Sequence, residues 1–164
     1  MIDRRTFLTL SAAAALTGCG SKFKSYDGPE VTQIVVYKER RRMYLLHQNQ
    51  VLKDYAIDLG FAPEGDKQHE GDGRTPEGRY LIDRRNPDSQ FHLSLGISYP
   101  NAQDIEEAKA LGKAPGGDIF IHGRSPKNRR KGADWTAGCI SVKDGDIEDI
   151  YAMVREGTVI DIHP

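Results

Sequence analysis

Cys139 stands in Asp134-Trp135-Thr136-Ala137-Gly138-Cys139-Ile140, and His122 lies seventeen positions earlier in Ile119-Phe120-Ile121-His122-Gly123. One thiol and one imidazole are the minimum for nucleophilic acyl chemistry, because a thiolate attacks carbonyls far better than a thiol and the imidazole can take the proton. A glycine beside the nucleophile lets the backbone approach a tetrahedral intermediate without a Cβ clash. The plainer alternatives are a small buried core thiol and a hydrogen-bonded histidine at a strand end.

The other cysteine, Cys19, belongs to a different context. Arg4 and Arg5 precede an apolar run from Phe7 to Leu16, followed by Leu16-Thr17-Gly18-Cys19. That run is too short to span a bilayer and fits the apolar centre of an export signal. Small residues before the cysteine resemble a lipobox, and Arg4-Arg5-Thr6-Phe7-Leu8 resembles a twin-arginine signal. We therefore expect a signal peptide over 1–18, cleavage before a lipidated Cys19, and a polar tether over 19–30. Cys139 then has no intrachain disulfide partner in an oxidising compartment, which favours a chemical role for it.

The remaining chain of roughly 145 residues is enough for one domain, expected over 31–163. The net charge of −1 gives no reason to expect a nucleic-acid partner. Strands are expected at Val31–Tyr37, Arg41–His47, Val51–Leu59, Arg79–Ile82, Phe91–Leu95, Asp118–His122 and Thr158–Ile162, the first three as an antiparallel meander. Alternation sets Ile119 and Ile121 on one face and Phe120 and His122 on the other. A helix is expected over Ala102–Leu111 with Ile105, Ala108 and Leu111 in register. A second begins at Asp144 as N-cap, carries the stripe Ile147, Ile150, Tyr151 and Val154, and stops at Gly157. The fold class is mainly β, with one or two packed helices.

Three segments in this order, Gly73-Arg74-Thr75-Pro76-Glu77-Gly78-Arg79-Tyr80, Ile121-His122-Gly123 and Thr136-Ala137-Gly138-Cys139, resemble the L,D-transpeptidase catalytic domain of YkuD type. The resemblance covers Val31 to Ile162. The stretch from Asn86-Pro87 through Phe91-His92-Leu93-Ser94 to Tyr99-Pro100-Asn101 is closest to a YafK-like branch. The resemblance implies a β-sandwich or mixed sheet, with Cys139 as nucleophile and His122 as proton acceptor and donor. It also implies that the Gly123 carbonyl orients His122, and that the N–H groups of Ala137, Gly138 and Cys139 form the oxyanion site. Fixed donors of that kind contribute roughly 3 kcal/mol each.

Two positions depart from the family pattern. Ala137 stands where a histidine is usual, and Ser141 where an arginine or asparagine is frequent. The arginine is expected to meet a substrate carboxylate. Arg124, in the basic run with Lys127, Arg129, Arg130 and Lys131, is the candidate replacement, although a solvated charge run is the alternative. His92 and Tyr99 are further candidates for substrate binding, with strand packing as the alternative. His47, His69, His92 and His163 lack ligand spacing, so no metal is expected, and acyl transfer through a thioester needs no cofactor.

Together, the N-terminal pattern and the resemblance lead us to expect a lipid-anchored, envelope-facing periplasmic monomer that cross-links peptidoglycan stem peptides. A hydrolase on the same scaffold, trimming stem peptides or releasing peptidoglycan-attached protein, is the alternative. A non-catalytic wall-binding lipoprotein is a third reading, motivated by Ala137 and Ser141.

Overall fold

The computed structural model describes residues 21–164; the expected signal and Cys19 lie outside them. Among the described residues, five strands precede the first helix and strands then alternate with helices: β1 (Gln33–Tyr37), β2 (Arg42–His47), β3 (Gln50–Ala56), β4 (Gly78–Asn86), β5 (Ser94–Ile97), α1 (Ala102–Ala110), β6 (Phe120–His122), α2 (Ser125–Asn128), β7 (Ile140–Ser141), α3 (Asp144–Met153) and β8 (Val159–His163). The strands make one sheet in the order β3-β2-β1-β8-β4-β5-β6-β7. The mainly-β class and the β1-β2-β3 meander are as expected. Among the described residues no helix is long and apolar enough to cross a membrane.

Alternation drives this arrangement. In β1 only Ile34 and Val36 are buried, in β2 only Met43 and Leu45, so each strand turns one apolar row inward. The last strand enters the middle of the sheet, parallel to β1 and antiparallel to β4. The first half of β4 pairs with β8 and the second half with β5, and a register shift between Ile82 and Arg84 separates the halves. Such a bulge bends the strand and strengthens the twist. Helix α3 packs on β5 and β6 through Ile147, Ile150 and Tyr151.

The curl brings the two ends of the sheet together. Asp58 and Ser141 exchange both backbone hydrogen bonds at 2.8 Å, and Phe61 N–H donates to Thr136 O at 2.9 Å. Three backbones meet there with no side chain between them. A Cβ on Gly60 would lie 2.0 Å from Gly73 O and 3.1 Å from Gly138 Cα. Gly138 has φ +134°, and a Cβ there would lie 2.7 Å from Arg74 O. The Thr75 hydroxyl accepts the Gly60 N–H at 3.1 Å, locking the Thr-Pro turn to this junction.

Several expectations are corrected. The α1 stripe is not its packed face: Ile105 and Leu111 are 44% and 52% exposed, while Asp104 and Ala108 are buried. Asp104 closes a capping box with Asn101 and accepts from the Tyr80 hydroxyl at 3.1 Å, so a polar anchor sets the helix orientation. Lys143, not Asp144, is the N-cap of α3; the Asp144 carboxylate instead accepts the N–H groups of Arg124 and Ser125 at 2.8 and 3.0 Å. Helix α3 stops at Met153, before Gly157, because Val154 is already extended. Phe91 and His92 precede β5 as loop, with His92 at φ +79°.

Gly60→Ala is expected to lower stability by about 2–3 kcal/mol, since a methyl forced against backbone cannot be relieved by a rotamer change. Gly145→Ala, inside α3 with nothing within 4 Å of the added carbon, should hold or raise stability. Urea denaturation midpoints check both; equal midpoints would refute the close-approach argument.

Candidate active site

Parallel pairing of β6 with β7 builds the site. Ile121 aligns with Ile140 and His122 with Ser141, so Phe120 lies across from Cys139 one step earlier. His122 and Cys139 therefore share a sheet face as diagonal neighbours, about 8 Å apart at Cα from the strand spacing and rise. Both line one cavity of about 440 Å³, together with Asn86, Phe91, Ser94 and Phe120. The junction of Gly60, Gly73 and Gly138 sits directly behind the cysteine and fixes where β7 begins.

His122 is only 3% exposed. Its Nδ1 lies 2.6 Å from Gly123 O, so Nδ1–H donates there and Nε2 carries the free lone pair. The Phe91 ring is 4.4 Å from the imidazole and the Trp135 ring 5.7 Å, and the two rings are 5.9 Å apart. Burial among these rings pushes the imidazole below its ordinary value, and the Gly123 carbonyl offsets only part of that. The imidazole is thus neutral near neutral pH.

The Cys139 thiol reaches the Asp118 carbonyl at 3.5 Å. Burial pushes the thiol up; the Phe120 N–H and, more weakly, the Lys67 ammonium draw it back, while Asp118 opposes them. The sulfur therefore rests as a thiol turned to the Asp118 carbonyl, with the neutral imidazole on the same cavity wall. A second cavity, about 420 Å³, also reaches Cys139 and Asp118 and is lined besides by Ala137, Lys67 and Glu70. Lys67 is 3% exposed and donates to Asp72 at 2.8 Å and to His69 O at 3.0 Å.

The three amides expected to face an oxyanion are not equivalent. Thr136 Oγ1 donates to Cys139 O at 2.7 Å and accepts the Gly138 N–H at 3.2 Å. The Gly138 amide is thereby engaged. The N–H groups of Ala137 and Cys139 have no acceptor among the described residues, which leaves two donors beside the sulfur.

The expected substrate-binding residues lie away from this cavity. Arg124 pairs with Asp58 and lines a separate pocket with Ile57, Arg129 and Val142. His92 Nε2 bonds Glu148 of α3 at 2.8 Å. Tyr99 is buried, donates to Pro115 O at 2.9 Å and packs on Tyr80. Ser141 is fully buried, with its hydroxyl unpaired among the described residues, so it faces no solvent-borne substrate. Phe91, Trp135 and Lys67 join the site without a sequence signal of it, whereas Phe120 shares the His122 face by alternation. Phe91 sits beside His92, and Trp135 four residues before Cys139, but neither position has a periodicity that would assign it to the site.

Comparison with known proteins agrees with this architecture. The L,D-transpeptidase catalytic domain profile, YkuD, matches residues 31–162. YafK of Escherichia coli (strain K12), provisionally named an L,D-transpeptidase, is 28% identical over 156 residues, covering 92% of this chain and 58% of that protein. A point variant of the helical cell shape determining protein Pgp2 from Campylobacter jejuni superposes with TM-score 0.64 at 27% identity, covering 84% of this chain and 48% of that one. An L,D-transpeptidase from Mycobacterium smegmatis shares the fold, with TM-score 0.56 at 14% identity over 82% of this chain and 59% of that one. The chain thus spans about half to three-fifths of the length of these relatives. With the profile running from the first strand to the last, the chain belongs to the L,D-transpeptidase catalytic domain family.

Proposed function

We propose that this protein is a cysteine L,D-transpeptidase acting on peptidoglycan stem peptides. The observation that carries the reading is the shared cavity of Cys139 and His122, with Nδ1 held by the Gly123 carbonyl so that Nε2 is the free base. In the proposed reaction Nε2 takes the thiol proton as sulfur attacks the carbonyl of an L-centre. The oxyanion meets the N–H groups of Cys139 and Ala137. Collapse of the intermediate expels the D-residue amine, which takes the proton from the imidazolium, and leaves a thioester. An amine of a second stem peptide then attacks the thioester, gives its proton to His122 and releases the thiol. The energy of the broken peptide bond is kept in the thioester, so no cofactor takes part.

Because both partners rest neutral, proton transfer accompanies attack and does not precede it. The second cavity beside Ala137 gives an acceptor amine its own approach to the thioester, which favours transfer over hydrolysis. Export, lipidation at Cys19 and an envelope location complete the proposal and rest on the N-terminal pattern.

Cys139→Ala is expected to remove thioester formation, a loss on the order of 10⁴-fold or more in turnover, while the melting temperature changes little. Mass spectrometry of muropeptides incubated with the protein decides the outcome. Cross-linked dimers are expected; shortened monomers alone would assign hydrolysis, and no product with the wild-type protein would overturn the enzyme reading.

The pH dependence has a definite sign. Burial lowers the His122 pKa from 6.5, so the neutral base persists to lower pH than for a free imidazole. The acid limb of iodoacetamide labelling at Cys139 should therefore fall below 6.5 and vanish in His122→Gln. A group whose folded pKa is depressed in this way binds more protons unfolded. Stability should then decrease as pH drops below 6.5, less steeply in His122→Gln. The thiol's own ionisation, raised by burial, gives a separate alkaline limb that His122→Gln keeps; a His122-dependent limb above 6.5 would contradict the assignment.

A further inference from the structure

The segment expected as a tether is docked along its described part. Lys24 pairs with Asp149 at 2.6 Å and Glu148 at 3.3 Å, and Phe23 packs on Tyr151 with centroids 6.4 Å apart. Lys22 goes further. Its Nζ donates to Pro87 O at 2.6 Å and to His92 O at 3.3 Å, the two ends of the 87–92 loop. That loop supplies Ser89, Gln90 and Phe91 to the wall of the Cys139 cavity, and Phe91 is the ring closest to the imidazole. One ammonium thus bridges two carbonyls, sixty-five and seventy residues away in sequence, that no strand or turn among the described residues satisfies. His92, at φ +79°, holds the same loop from the other side through Glu148.

The groups around His122 leave this ring contact as the adjustable one. Asp144 is occupied by Arg124 N–H, Ser125 N–H and Arg129, Glu148 by His92 and Lys24, Arg124 by Asp58 and Asp118 by Arg84. Lys131 and Arg124 lie over the Trp135 ring, away from any direct bond to the imidazole. Ser94 and Ser141 are its uncharged strand neighbours. The Cys139 thiol is the one titrating group that shares its cavity wall without a charged partner.

We propose that Lys22 is a positioning residue for the catalytic base: by pinning both ends of the 87–92 loop it keeps Phe91 against the His122 imidazole and water away from it. The inference rests on the reading of His122 as the base. It makes the chain just beyond the expected anchor part of the working site.

The test is the His122 imidazole titration, followed by NMR in the full chain, alongside the pH profile of iodoacetamide labelling at Cys139. Lys22→Met keeps the aliphatic stem and loses both bonds. It should raise the titration midpoint by about half a unit toward the free-imidazole value. Phe91→Ala should raise it at least as far, and the double variant no further than Phe91→Ala. Lys22→Arg, which keeps a donor in place, should restore the wild-type midpoint. An unmoved midpoint in Lys22→Met, or shifts that add in the double variant, would overturn the proposal. The titration reads the imidazole without turnover, so it stands apart from the muropeptide assay: a protein that makes no product can still show the Lys22 effect, and an active one can lack it.

Discussion

The whole site depends on three backbones that touch with nothing between them. Gly60, the Gly73-Arg74 carbonyls and Gly138 occupy one small volume, and a methyl group at Gly60 or Gly138 would displace backbone. That contact joins the edge beyond β3 to the segment that leads into β7, so it curls the sheet and fixes the start of the cysteine strand together. The Thr75 hydroxyl and the buried Lys38 ammonium, which donates to Thr75 O at 2.8 Å, hold the third backbone in place. Such a junction has no tolerance for volume, because close-packed interiors yield little around an added carbon.

Electrostatics at the site follow from the same closeness. Two rings and the packed β6 strand take water from the imidazole, and burial raises the thiol in the same way. Dehydration disfavours both charged forms, so the pair is not an ion pair waiting for substrate. In the proposed reaction the groups placed to stabilise charge are the Phe120 N–H, toward the sulfur, and the amides of Ala137 and Cys139, which have no acceptor among the described residues. Donors fixed in position cost no reorganisation when that charge appears.

Much of this was legible in the chain. The pair Cys139 and His122 could be named from residue type and the glycines beside each, and alternation along Asp118–His122 placed His122 on the correct face. Local patterns also gave the β1-β2-β3 meander and the α3 stripe. What could not be read was set by distant partners. Arg124 looked free because nothing local announces Asp58, sixty-six residues away. Gly138 reads as an oxyanion donor by sequence, yet the Thr136 hydroxyl accepts its N–H. Asp144 fits an N-cap by sequence, yet its carboxylate serves the turn after Gly123. Tether residues looked polar and loose because their partners, Pro87 O and Asp149, are tertiary.

The position of β8 has an outcome for cooperativity. Residues 159–163 form the seam between β1 and β4, with the meander on one side and the cysteine-bearing strands on the other. A one-residue slip of a strand turns its buried row outward. Such a slip in this one short segment would unseat the meander and the sulfur alike.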